Sequence, residues 1–243
     1  MTGATALLRA KDLSRRFGGL LAVSQFSCEV FPSEIVGLIG PNGAGKSTVF
    51  NLISGFLRPT AGEVWFREVR ITGRPAATIA RLGLTRTFQH ESFFKAMSVR
   101  DNVLIGTTTI AHGAAERARA ADEAIELFGL GGVSDEIAGD LPHGYQRLLS
   151  MAIASATRPV LLCLDEPLTG LNQTELVSVL QTIRNLRDSR GMSILFVEHN
   201  VRAVMTTCDR IVVLNQGSKL AEGSAEEISR NQEVIDAYLG QPE

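Results

Sequence analysis

Gly40-Pro41-Asn42-Gly43-Ala44-Gly45-Lys46-Ser47-Thr48 is the stretch on which the fold turns. Before it, Glu34 to Gly40 is a short apolar run closing on glycine, the pattern of a buried strand. After it, Lys46 to Leu57 sets Val49, Leu52, Ile53 and Phe56 on one face of a predicted helix. Strand, glycine-rich turn and helix, with Lys-Ser at the junction, make a phosphate-binding P-loop. Each residue type has a physical reason. Gly43 and Gly45 can take backbone angles closed to other residues and leave bare N–H groups for phosphate oxygens. The helix adds its positive N-terminal end. Lys46 brings a mobile charge to the outer phosphates, and Ser47 offers a hydroxyl to Mg²⁺.

Further along, Leu161-Leu162-Cys163-Leu164-Asp165-Glu166 is an apolar strand ending in two acids. The carboxyl ends of buried parallel strands are where open α/β sheets bind ligands. Asp165 suits the Walker B role of holding Mg²⁺. Glu166, pointing the opposite way on a strand, is placed to polarise an attacking water.

The remaining pattern fits one α/β unit. Leu8–Leu13, Ala22–Val30 and Gly62–Phe66 are strand-like, with Phe17-Gly18-Gly19 as a turn. Val99–Ile105 and Ala114–Phe128 read as helices, the latter with Ile125 and Phe128 on its apolar side. From Tyr145 the order is helix (to Thr157), strand Val160–Asp165, helix Gln173–Arg190, strand Ser193–Glu198 and helix Val201–Thr206. Such alternation predicts a mostly parallel sheet covered by helices. Arg210–Asn215 and Ser218–Glu222, joined by Gln216-Gly217, read as a hairpin. The expected architecture is an α/β P-loop NTPase core. Antiparallel N-terminal strands and an inserted α-helical subdomain over about residues 90–157 complete a single domain spanning 1–243.

The bulk numbers agree. The chain has 243 residues, 44% hydrophobic and 21% charged, as in an ordinary globular protein. A net charge of -2 provides no bulk attraction to nucleic acid, so no nucleic-acid partner is expected. Cys28, Cys163 and Cys208 are dispersed and odd in number, which fits a reducing cytosol. No secretory signal pattern is seen, and no apolar stretch approaches the roughly 20 residues that span a bilayer.

Taken in order, these motifs resemble an ABC transporter ATPase over essentially the whole chain. The resemblance implies ATP hydrolysis with ATP and Mg²⁺ as ligands. Phe17 matches the aromatic that stacks on adenine. Gln89, in Arg86-Thr87-Phe88-Gln89-His90, matches the Q-loop glutamine that touches Mg²⁺ and the attacking water. His199, in Val197-Glu198-His199-Asn200, matches the switch histidine at the γ-phosphate. Gly144, in Leu141-Pro142-His143-Gly144-Tyr145, matches the second glycine of the signature segment, which contacts nucleotide held by the opposite subunit. Pro142 stands where that segment has serine, so the serine contact does not carry over. Gly170-Leu171-Asn172 ends in asparagine where the D-loop commonly has aspartate.

Those departures, with Arg16 to Val23, Val213 to Gly217 and the ending Ala237-Tyr238-Leu239-Gly240, are similar to the branched-chain amino acid uptake subfamily. That subfamily implies a second ATPase subunit (paralogue or self), two transmembrane permeases and, indirectly, a solute-binding protein. The expected location is peripheral, on the cytoplasmic face of the inner membrane. Phe93, Phe94 and Met97 are candidates for a groove receiving a permease helix, or for subdomain core. Two other readings stand at this point. Glu198 to Arg202 and the Tyr-Leu-Gly ending also resemble the lipopolysaccharide-export ATPase, and a non-transport ABC ATPase is the alternative from another class.

Overall fold

The computed structural model describes residues 5–88, 92–109 and 113–239. Its centre is β3 (Ile35–Ile39), buried at every position because it lies between two parallel neighbours, β8 (Ser193–Val197) and β9 (Arg210–Asn215). β7 (Leu161–Asp165) and β6 (Leu84–Arg86) continue the sheet in parallel on the β8 side. On the other side β10 (Ser218–Gly223) pairs antiparallel with β9, giving the order β10-β9-β3-β8-β7-β6. The β9–β10 turn has φ of 46° at Gln216 and 81° at Gly217. Two consecutive left-handed residues match the twist of a tight hairpin.

A second, antiparallel sheet is built from β1 (Leu8–Phe17), β2 (Leu20–Val30), β4 (Ala61–Phe66) and β5 (Val69–Arg70), in the order β2-β1-β4-β5. Strand alternation divides the core between the faces of the large sheet. Val36, Leu38, Leu161 and Leu195 face the small sheet and pack with Phe26, Phe66 and Val49. Ile35, Ile39, Leu162, Leu164, Ile194 and Phe196 face the other way. There they meet side chains of α4 (Ala114–Leu127), α5 (His143–Ser155) and α6 (Gln173–Arg190), together with Val99 and Val103 of α3 (Val99–Gly106). The helical region therefore shares one continuous apolar core with the sheet.

The expected α/β architecture is present, with corrections at the edges of elements. The helix after the P-loop, α1, runs only Lys46–Ile53, four residues short of expectation. The chain turns at Gly55 (φ 79°), so Phe56 leaves the helical face and lies half-exposed, edge-on to Phe88 with ring centroids 5.3 Å apart. Unforeseen were β5, α2 (Ala76–Arg81), β6, α8 (Ala225–Ser229) and α9 (Gln232–Leu239), segments whose apolar runs are too short to show a period.

The asparagine that ends Gly170-Leu171-Asn172 has a plain structural use. Asn172 is the N-cap of α6: its Oδ1 accepts from the amides of Thr174 and Glu175, each at 3.0 Å, while Glu175 Oε2 accepts from the Asn172 amide at 2.9 Å. Asparagine and aspartate cap equally well, so the departure costs the helix nothing. Asn172→Ala is expected to lower stability by about 1 kcal/mol, measured as a shift in the denaturant midpoint at unchanged slope.

Candidate functional site

The parallel strands bring their carboxyl ends to one place. Register sets Leu38, Val197 and Asp165 side by side on β3, β8 and β7. The P-loop, Asp165-Glu166 and Glu198-His199 therefore emerge next to one another, though they lie far apart in the chain. Beneath them, the Glu166 amide donates to Val197 O at 2.9 Å, and the Asp165 amide donates to Thr87 Oγ1 at 3.2 Å.

The P-loop has the conformation its glycines predict. Gly45 caps α1 with φ of 103°, and a Cβ there would stand 2.7 Å from the Ala22 carbonyl oxygen. Gly43 has φ of 78° with open space where a Cβ would point. Lys46 is almost fully buried, and its ammonium donates to the carbonyls of Gly40 (2.7 Å) and Pro41 (3.1 Å). Burial pushes this ammonium below its ordinary pKa, while the carboxylates of Glu166 and Glu198 pull it back up. An ammonium has three donors, so one remains for a ligand.

Over the loop opens a cleft of about 550 Å³ lined by Phe17, Leu20, Leu21, Ala22, Asn42 to Thr48, Glu166, Gln216 and Gly217. One end is apolar and the other is lined by amides, Lys46 and hydroxyls. The Phe17 ring is 42% exposed, with the Arg15 guanidinium 4.6 Å from its centroid, so a flat face is available to a planar ligand. The Gln216-Gly217 turn forms part of the wall because the Gly217 amide donates to Ala44 O at 2.9 Å and Gly217 O accepts from Ser24 N at 2.8 Å.

Asp165 is buried, and its Oδ2 receives Arg86 Nη2 at 2.6 Å. Arg86 is in turn held by Asn51 Oδ1 (2.6 Å) and Ser54 Oγ (3.1 Å), with its guanidinium near the rings of Phe50, Phe56 and Phe88. Asp165 Oδ1 is buried and has no protein partner. Such an oxygen needs a ligand to satisfy it. Glu166 takes a left-handed φ of 46°, which turns its side chain into the cleft.

Not every expected residue converges. The His199 side chain is 57% exposed, its Nδ1 3.7 Å from Glu198 Oε2, and it is not among the residues lining the cleft. Gly144 opens α5 behind Pro142, which supplies no side-chain cap. It lies buried against α6, where a Cβ would meet Glu175 Oε1 at 2.6 Å, away from the P-loop cleft. Gln89 lies outside the described residues. Of the aromatic groove candidates, Phe93 packs against the core and only Phe94 is clearly exposed, at 59%.

Arg86, Glu198 and the Gln216-Gly217 wall join the site without a signal of their own in the sequence. They flank recognisable motifs, but their roles depend on strand neighbours that no local pattern reveals.

Fold and cleft together define a nucleotide-binding P-loop cassette with a helical insert. Comparison with known proteins gives the family. The ABC transporter family model matches residues 23–169, and a branched-chain amino acid ATP-binding cassette transporter model matches residues 218–243. The chain belongs to the ABC transporter family, among its ATP-hydrolysing subunits.

It is 41% identical to the high-affinity branched-chain amino acid transport ATP-binding protein LivG of Escherichia coli K12, covering 97% of this chain and 98% of that one. With the corresponding protein BraF of Pseudomonas aeruginosa it shares 39% identity, over 97% and 98% of the two chains. The lipopolysaccharide export ATP-binding protein LptB of Acidithiobacillus ferridurans is less similar, 35% identical over 96% of this chain and 97% of its own. Among solved structures, a nucleotide-free ATP-binding cassette from an ABC transporter superposes with a TM-score of 0.88 at 28% identity, covering 98% of this chain and all of that one.

Proposed function

We propose that this chain energises an importer for branched-chain or other hydrophobic amino acids. The observation that carries this reading is the similarity to LivG and BraF over 97% of the chain, reinforced by the branched-chain family model over residues 218–243. Among the described residues no helix is long and apolar enough to cross a membrane. In this reading two transmembrane permeases form the path, a solute-binding protein delivers the amino acid, and the chain lies peripherally on the cytoplasmic face. A second ATPase subunit completes each nucleotide site, its Gly144 counterpart and helix N-terminus facing the nucleotide across the dimer.

Within the site, Phe17 stacks on adenine. The free amides of the loop Gly40 to Thr48, in which Pro41 has none to give, and the ammonium of Lys46 hold the phosphates. Ser47, which lines the cleft, and the buried, unpartnered Oδ1 of Asp165, with Gln89, supply hard oxygen ligands of the kind Mg²⁺ takes. Bound there, Mg²⁺ would neutralise phosphate charge. Glu166 orients and deprotonates the attacking water, and His199 reaches the γ-phosphate as the subunits close. ATP thus bridges two cassettes and favours the closed pair, and its hydrolysis removes that bias.

Gentle purification from native membranes tests the transport assignment. Two hydrophobic permeases should co-elute, and loss of this chain should abolish high-affinity leucine uptake. Recovery of lipopolysaccharide-export components, ribosomes or DNA instead would overturn it.

A further inference from the structure

Glu198 is a charged side chain that the scheme above does not use, and it is fully buried. Burying a carboxylate is costly unless it is paired or richly hydrogen-bonded. Here each oxygen faces a different segment. Oε1 accepts from the Leu168 amide at 2.8 Å, two residues beyond Glu166. Oε2 accepts from the amides of His199 (3.2 Å) and Asn200 (3.4 Å). Burial pushes the Glu198 carboxyl above its ordinary pKa, and these amides, with the His199 side chain, pull it back.

The neighbouring contacts give the two segments little else in common. Backbone bonds join Glu166 N to Val197 O, but beyond that point the Leu168 turn bonds to itself, Thr169 N to Glu166 O and Leu171 N to Leu168 O. The His199 side leads into α7 (Val201–Thr207), capped by Asn200 Oδ1 on the Ala203 amide. Serine, threonine or asparagine could satisfy one amide at lower cost. Only a carboxylate combines two acceptor oxygens with the capacity to face donors on both sides at once.

We propose that Glu198 is a positioning residue that ties the turn after Glu166 to the His199 segment, so that the activating carboxylate and the switch histidine keep one register. This rests on the roles assigned above to Glu166 and His199. It goes beyond them in naming the side chain through which the two are aligned.

The test uses the full chain carrying Glu198→Gln, whose amide has a single acceptor oxygen, and Glu198→Asp, which keeps the charge but is too short to reach both segments. Amide hydrogen exchange reports local opening directly. Exchange at Leu168, at His199, or at both should quicken at least about tenfold in each variant. Unchanged exchange at both positions overturns the proposal, whatever happens to activity. Turnover supplies the second readout: kcat should fall at least about tenfold with KM within about threefold, the pattern of a lost transition-state interaction. In a His199→Ala background, Glu198→Gln should add little, because residues acting through one another are not additive. An equal fall in both backgrounds marks a merely structural staple and overturns the proposal. Wild-type turnover in His199→Ala alone would instead remove the role given to His199, and the exchange result would remain independent of it.

Discussion

Lys46→Ala is expected to weaken ATP binding by about 100- to 1000-fold, read by calorimetry or by displacement of a fluorescent nucleotide. The size follows from what surrounds the ammonium. It is the cation the cleft holds against Glu166 and Glu198, whose carboxylates are the charges it senses most strongly. Taking it away leaves the phosphates of the nucleotide beside the Glu166 carboxylate with only loop amides and the metal ion in support. A hydrogen bond to a charged group contributes about 1.5–3 kcal/mol. Lys46 would make one such bond and screen the acids as well, and 3–4 kcal/mol corresponds to the expected loss.

Stability should move much less. The variant gives up two bonds to the carbonyls of Gly40 and Pro41 but also removes a buried charge. Lys46→Arg should fail almost as badly. A planar guanidinium is too broad for the buried pocket under Gly40 and Pro41 and cannot present a compact point charge to the phosphates. An affinity within threefold of wild type in Lys46→Ala would mean that the P-loop is not the phosphate site.

Much of this site was legible because its signals are local. Gly43, Gly45 and Lys46 lie within four positions, and Asp165-Glu166 closes an uninterrupted apolar run, so a window of ten residues contains each motif. The fold was legible for a similar reason. β3, β7, β8 and α6 are long or uniformly apolar enough to declare themselves, and α6 runs over the residues its pattern predicted, Gln173–Arg190. What stayed hidden depends on register. Arg86 becomes the partner of Asp165 because β6 pairs with β7, and Glu198 meets Leu168 because β8 lies against β7. Phe56 continued the helical period in sequence, yet Gly55 broke it in space. Pro142 was informative in a different way. Its lack of a capping side chain is visible in sequence and is what α5 shows at its start.

Glu166→Gln separates binding from chemistry, and its effect on turnover should be as large as that of Lys46→Ala on affinity. The side chain is nearly isosteric, so the left-handed backbone at φ 46° and the bond from its amide to Val197 should survive. What disappears is the ability to accept a proton. General-base assistance contributes about 100- to 10,000-fold, and steady-state hydrolysis should drop by at least the lower figure. Affinity for ATP should hold or rise slightly, since one negative charge beside the phosphates is gone. Glu166→Asp gives the control in geometry. It keeps a base but withdraws it by one methylene, so turnover should fall while remaining above that of the glutamine variant. Hydrolysis by Glu166→Gln at the wild-type rate would show that the water is activated elsewhere. The fully buried Glu198 could not simply take over. Its oxygens are committed to the amides of Leu168, His199 and Asn200, and freeing them would disturb the segment on which His199 itself depends.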